Sequence, residues 1–222
     1  MKTLIFSDTH LSHHFDPAQC AMLQNEIEKV DRVIINGDFF DSYLTTFDKF
    51  VKSEWCALFP LLKKRKTIYL TGNHDMPSSF DERWQLFADQ VAQHVDVQAG
   101  DTTYHIEHGH LYAFSFEVAH PLLSRLGMKL YPLLDSLEHK ANIFSHYYLE
   151  YLREKHRAND RELMDFSKKN LRPGHWHIFG HSHTQRKDDE SQYLNSGMFR
   201  YGFANWITID DTDSVVLHTA HY

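Results

Sequence analysis

The stretch "TIYLTGNHDMP" (residues 67–77) carries the reading of this protein. An apolar, β-branched run stops at Gly72, and an amide, an imidazole and a carboxylate follow in consecutive positions. A turn needs the glycine and could use the asparagine or the aspartate. It does not need His74 wedged between Asn73 and Asp75. "TIYL" reads as a strand, so three side chains with chemistry to offer stand at a strand end. Open α/β sheets place their sites there.

The same pattern recurs outward from this stretch. "KTLIFS" (2–7) is a short buried strand followed by Asp8-Thr9-His10, and "RVIIN" (32–36) ends in Gly37-Asp38. Short strands near 95–98 and 102–107 lead into His108-Gly109-His110. A further one is expected over 111–116. "WHIFG" (176–180) runs into His181-Ser182-His183, and strands at 191–195, 203–210 and 214–219 follow. Asp16 and Pro17 start a helix that reaches about Val30, with Asp16 as its N-cap. Phe47, Phe50, Val51, Trp55, Leu58 and Leu62 predict a second helix over about 46–63, and a third is expected near 81–93. Strand and helix alternate at the spacing of βαβ units with parallel strands. Turns after parallel neighbours converge on one edge of the sheet.

The 222 residues, 42% of them hydrophobic, suffice for a sizeable core. A formal charge of −7 argues against an extended nucleic-acid or anionic-membrane surface. Neither a signal-peptide-like start nor an apolar run near the ~20 residues of a membrane span appears, so a cytoplasmic location is expected. The two cysteines, Cys20 and Cys56, read as buried thiols in a reducing compartment. The window from about 118 to 172 is helical in pattern, with 10 Lys+Arg against 7 Asp+Glu, and reads as a helical insertion on a single domain spanning 1–222.

Collected together, the strand-end groups hold two aspartates, an asparagine and at least four histidines, and no thiolate. A mixed oxygen and imidazole set suits Mn, Fe, Zn or Ni. It is too large for one ion, so two are expected, with a bridging carboxylate. His74 sits between a metal-binding amide and Asp75, whose carboxylate would orient the ring and fit it to protonate a leaving oxygen.

Asp-x-His, Gly-Asp, Gly-Asn-His-Asp, Gly-His and Gly-His-x-His, in that order, resemble the calcineurin-like metallophosphoesterases over about residues 1–116 and 174–219. The resemblance implies a four-layer α/β/β/α sandwich with two divalent ions, manganese first among them, at the strand ends. It implies that Asp8, His10 and His183 hold the first ion, that Asp38 bridges, and that Asn73, His108 and His181 hold the second. His74 becomes the catalytic imidazole beside the leaving group. Asp41 and His110 lie near these motifs with roles left open. The remaining histidines, His156 among them, read as ordinary packing or surface groups.

The motifs imply hydrolysis of a phosphodiester, pyrophosphate or phosphomonoester without naming the ester. An insert between His-Gly-x and Gly-His-x-His, with "LNSG" at 194–197, is similar to the UDP-2,3-diacylglucosamine pyrophosphatase branch. That branch implies a nucleotide-linked lipid precursor and allows peripheral membrane contact. Its better-known members carry arginine in place of His74 and an acidic residue in place of His110. Arg125, Lys129, Arg153, Lys155, Arg157 and Arg161 are the insert's candidates for gripping phosphate. A nuclease, a small cyclic or linear phosphodiesterase, a protein phosphatase and a non-catalytic metal scaffold are the competing readings. Monomer and homodimer both remain open.

Overall fold

The computed structural model describes residues 1–113 and 146–222, the side chains of residues 146–154 excepted. Two sheets face each other, and helices cover both outer faces. The first sheet has seven strands. Its path is β10 (Phe199–Arg200), β11 (Phe203–Asp210), β1 (Lys2–Phe6), β2 (Arg32–Asn36), β3 (Ile68–Leu70) and β4 (Gln90–Ala92), with β12 (Val215–His221) also on β11. Strands β1 to β4 run parallel, whereas β11 lies antiparallel to β1. The second sheet orders β5 (His94–Ala99), β6 (Thr102–Glu107), β7 (His175–Phe179), β9 (Tyr193–Asn195) and β8 (Arg186–Asp188). Here β6, β7 and β9 are parallel.

Side chains alternate across each strand, and the alternation builds the layers. Ile5, Ile34 and Leu70 point between the sheets and pack with Ile106, Ile178 and Leu194. Their neighbours Leu4, Phe6, Val33, Ile35 and Tyr69 face the other way. There they meet α1 (Pro17–Glu28), α2 (Phe47–Val51) and α3 (Phe59–Lys64) through Leu23, Ile27, Phe50 and Leu62. On the far side, Leu163 of α4 (His146–Lys169) packs with Phe179 and Tyr193. The four-layer α/β/β/α sandwich expected from the sequence is the observed architecture. Among the described residues, no helix is long and apolar enough to cross a membrane.

Several expectations need correction. The helix over 46–63 is three pieces: α2, a 3₁₀ turn at Glu54–Leu58, and α3 with Pro60 in its first turn. Lys52 caps the first piece, and the tighter turn that starts after Ser53 buries Trp55 and Leu58 at i and i+3 while Cys56 faces solvent. Of the two thiols only Cys20 is buried, and both are free. The helix near 81–93 is instead a 3₁₀ turn at Glu82–Leu86 followed by β4. An open edge on β3 decides this, because Asp89 N reaches Thr67 O at 2.8 Å and starts the parallel ladder. Residues 111–113 form a turn, with Tyr112 N on Gly109 O at 3.0 Å, where a strand was expected. Residues 114–116, and the inserted window as far as 145, lie outside the described residues.

Candidate metal centre

Parallel β1, β2 and β3 end side by side, as do β6 and β7 of the facing sheet, so their following turns meet at one rim of the sandwich. The first two turns are laced together by their backbones. Asp8 N donates to Gly37 O at 3.2 Å, His10 N to Asp38 O at 2.9 Å and Leu11 N to Phe39 O at 2.9 Å. Five of the side chains at this rim spring from left-handed backbone: Asp8 (φ 54°), His10 (45°), Asp38 (53°), His181 (61°) and His183 (56°). Such positions cost on the order of 1 kcal/mol or more each and persist only where the surroundings enforce them. Here they turn functional groups inward from strands that have just ended.

Among the described residues, three sets of donor atoms come within 4.8 Å of one another: Asp8, His10 and His183; Asp8, Asp38 and His108; and His10, Asp41 and His74. In the first, His183 Nε2 lies 3.1 Å and His10 Nε2 3.9 Å from Asp8 Oδ1. In the second, His108 Nε2 lies 3.3 Å from Asp38 Oδ2 and 3.3 Å from Asn73 Oδ1. Asp8 belongs to both sets, its Oδ1 also lying 4.0 Å from His108 Nε2, and Asp38 Oδ2 is 3.7 Å from His10 Nε2, so both carboxylates reach toward both sets. The ring of His181 lies beside that of His108, with centroids 5.3 Å apart, and its Nε2 is 3.4 Å from Asn159 Nδ2. It falls outside the three sets. His110 is one ring further out, 5.6 Å from His108.

The donor set fits divalent cations. Asp8 Oδ1 is buried without a hydrogen bond while imidazole nitrogens of His183, His10 and His108 face it. A buried carboxylate oxygen in that state calls for a positive charge. Tautomers agree with this. His108 Nδ1 donates to Asn36 O at 2.8 Å, and His10 Nδ1 to Asp41 Oδ2 at 3.1 Å, leaving each Nε2 lone pair for an ion. Protons carry the balancing charge otherwise. Burial disfavours the His108 cation, but Asp38 and Asp8 outweigh it and raise its pKa to about 10. Burial would raise Asp38, yet His108 and His74 hold it well below the usual carboxylate range.

The partner of His74 is the main correction at the site. His74 Nδ1 lies 3.0 Å from Asp41 Oδ2, the oxygen that also faces His10. The carboxylate of Asp75 points beneath the turn, accepting Gly72 N at 2.6 Å, Tyr69 Oη at 2.6 Å and Phe39 N at 2.7 Å. Once Asp75 closes onto Gly72 three residues back, its side chain diverges from that of His74. Burial and the nearby Asp38 push Asp75 up to about 7, against the Tyr69 hydroxyl and the Gly72 amide. Asp41, fully buried, is pulled well below the usual range because His74 and His10 overcome the cost of its burial.

Close approach explains the glycine of the opening stretch. A Cβ on Gly72 would lie 2.2 Å from Asp38 Oδ1 and 2.8 Å from Asp38 N. Gly72→Ala should therefore displace Asp38, lower stability by about 1–3 kcal/mol and weaken metal binding. Denaturant unfolding and a metal titration of the variant check this, and metal affinity equal to that of the wild type would contradict it.

Two residues of α4 that the sequence does not mark as part of the site stand beside it. The His156 ring lies 4.6 Å from that of His183, and Asn159 reaches His181. Burial, then the neighbouring His183, press the pKa of His156 down to about 3. The signal was faint: histidine and asparagine three apart on a helix that looked solvated. Lys155, Arg157 and Arg161, candidates for gripping phosphate, are exposed on α4. Arg125 and Lys129 lie outside the described residues, as does the Arg153 side chain.

Residues 1–185 match the family model described as calcineurin-like phosphoesterase. Among solved structures, the chain is similar to wild-type Vps29 of Entamoeba histolytica complexed with zinc, at TM-score 0.50 and 12% identity over 100% of this chain and 99% of that one. It also matches YfcE, a phosphoesterase from E. coli, at TM-score 0.46 and 15% identity, covering 100% and 99%. None of the curated proteins matches the sequence. The ordered strand-end motifs, their convergence at one rim and the family match over most of the length lead to one conclusion: the chain belongs to the calcineurin-like phosphoesterase family.

Proposed function

We propose that this protein hydrolyses a phosphoester or pyrophosphate with two divalent metal ions. In this reading Asp8, His10 and His183 hold one ion, Asn73, His108 and His181 hold the other, and Asp38 bridges. The observation that carries it is the position of Asp38 Oδ2, 3.3 Å from His108 Nε2 and 3.7 Å from His10 Nε2, at the junction of the two donor sets.

When bound, two such ions polarise a phosphoryl group and lower the pKa of an attacking water. The remaining steps belong to the chain. Asp41 accepts the Nδ1–H of both His10 and His74, which fixes the tautomer of one as a ligand and of the other as a proton carrier. His74, between the His10 ring at 4.6 Å and the Tyr43 ring at 4.9 Å, is held in one orientation at the rim. From Nε2 it delivers a proton to the leaving oxygen, and the Asp41 carboxylate stabilises the imidazolium that precedes that transfer. Asp75 acts at one remove, tying Gly72 and Phe39 so that the turns after β2 and β3 keep their spacing.

For the substrate, we favour a phosphodiester or pyrophosphate of a small molecule, with a UDP-diacylglucosamine-type precursor as the specific candidate. Docking of α4, from the window inserted between the motifs, against the His181–His183 turn supports a role for the insert over the site. The test is Mn²⁺-dependent turnover by chelator-stripped protein of a nitrophenyl monoester, a bis-nitrophenyl diester and UDP-diacylglucosamine. Fast turnover of the last alone supports the lipid-precursor reading, whereas the simple diester as best substrate removes it. Binding of two ions with no turnover of any ester would instead favour a metal-stabilised scaffold.

A further inference from the structure

One face of α4 carries His156, Asn159, Asp160, Leu163 and Ser167, the i, i+3, i+4, i+7, i+11 ladder of a helix seated on a protein interior. Apart from half-buried His156, all of these are buried. Asp160 is only 2% exposed and gathers donors from three elements. Tyr193 Oη of β9 donates at 2.7 Å, Ser182 Oγ at 3.4 Å and Arg186 Nη1 of β8 at 3.2 Å. Ser182 lies between His181 and His183, fully buried, and its hydroxyl oxygen in turn accepts from Asn195 Nδ2 at 3.0 Å. Asn195 also donates to Gly180 O at 2.7 Å, and its Oδ1 accepts Gly197 N at 2.9 Å. The network therefore grips the Gly180–His183 turn from two sides, by α4 and by the end of β9.

That turn needs restraint. His181 and His183 are both left-handed, and a Cβ on Gly180 would meet Ser7 Oγ at 2.5 Å and Asp8 Oδ2 at 2.7 Å. A turn strained at two residues and pressed against β1 keeps its shape only while its buried polar atoms stay satisfied. Of these, the Ser182 hydroxyl is tied to the inserted helix through Asp160, as the His181 ring is through Asn159.

We propose that α4 is an integral part of the metal centre: Asp160 is a positioning residue that acts through Ser182 on the Gly180–His183 turn and sets how tightly His181 and His183 hold their ions. The proposal rests on the two-metal reading above. It gives the helix beyond the family's motifs a task in ion binding, separate from any contact with substrate.

The experiment is calorimetric titration of Mn²⁺ into the chelator-stripped full chain, for wild type, Asp160→Asn, Ser182→Ala and the double variant. Melting of each metal-free protein is recorded alongside. Each single substitution should weaken Mn²⁺ binding about 10–100-fold at temperatures well below its melting midpoint. The double variant should bind no more weakly than Asp160→Asn alone, because both cut one path. Wild-type affinity in either single variant overturns the proposal. So do losses that multiply in the double variant, the behaviour of two independent structural defects. Ser182→Ala removes only a hydroxyl, so it decides the matter even if Asp160→Asn does not fold. Two ions bound equally by all four proteins would sink this inference and leave the two-metal reading intact. A wild type that takes up no Mn²⁺ would sink both.

Discussion

Asp38→Asn should abolish nearly all phosphoester hydrolysis, by about 10³-fold or more, and lower the ions bound from two to one or none. Asp38 Oδ2 lies 3.3 Å from His108 Nε2 and 3.7 Å from His10 Nε2, within reach of both sides of the centre, and Oδ1 accepts His74 N at 2.9 Å. An asparagine keeps the volume but loses the negative charge. If its amide nitrogen takes the Oδ2 position, it points a donor at two ligand nitrogens. Its left-handed backbone is tolerated by asparagine as readily as by aspartate, so the fold should survive. Metal analysis of the purified variant, with turnover of whichever ester the wild type prefers, checks both halves. Two ions at wild-type affinity would remove Asp38 from the bridging position.

The second large effect is expected at His74. His74→Ala should retain both ions and lose about 10²–10⁴ in rate, most for esters with poor leaving groups. The ring is only 14% exposed and falls outside the two donor sets that contain Asp8, so the ions keep their proposed ligands. A leaving group that departs readily as an anion needs no proton, and there the variant should approach the wild type. The measurement is a series of aryl esters of graded leaving-group pKa, and an equal loss across it would exclude proton donation by His74. Asp41→Asn should copy the pattern more weakly and also loosen an ion, because the same oxygen serves His10 and His74.

How much of this was legible beforehand depended on distance along the chain. β2 and β11 were read to the residue, and β1 and β3 within one residue of each end, because their apolar β-branched runs end in sharp turns. β8 and β10, three and two residues long, left no periodic signal. β4 falls inside a stretch with a helical pattern, and only its seat beside Ile68–Leu70 makes "QVA" a strand. The carboxylate that orients His74 escapes the sequence for the same reason. Asp75 is adjacent to His74 in sequence, but a turn sends neighbouring side chains apart. Asp41 is thirty-three residues away and meets the ring at 3.0 Å.

Local patterning is enough to reveal the family, the α/β layering and the rim at which Asp8, Asp38, Asn73, His108 and His183 gather. Strand periodicity is local, and parallel pairing must carry successive strand ends to one edge. Long-range packing settles which carboxylate faces which imidazole, that β4 extends the first sheet, and that α4 brings His156, Asn159 and Asp160 onto the turn after β7. Those choices rest on contacts between residues far apart in sequence, in a buried setting where each polar atom takes the partner that packing brings within reach.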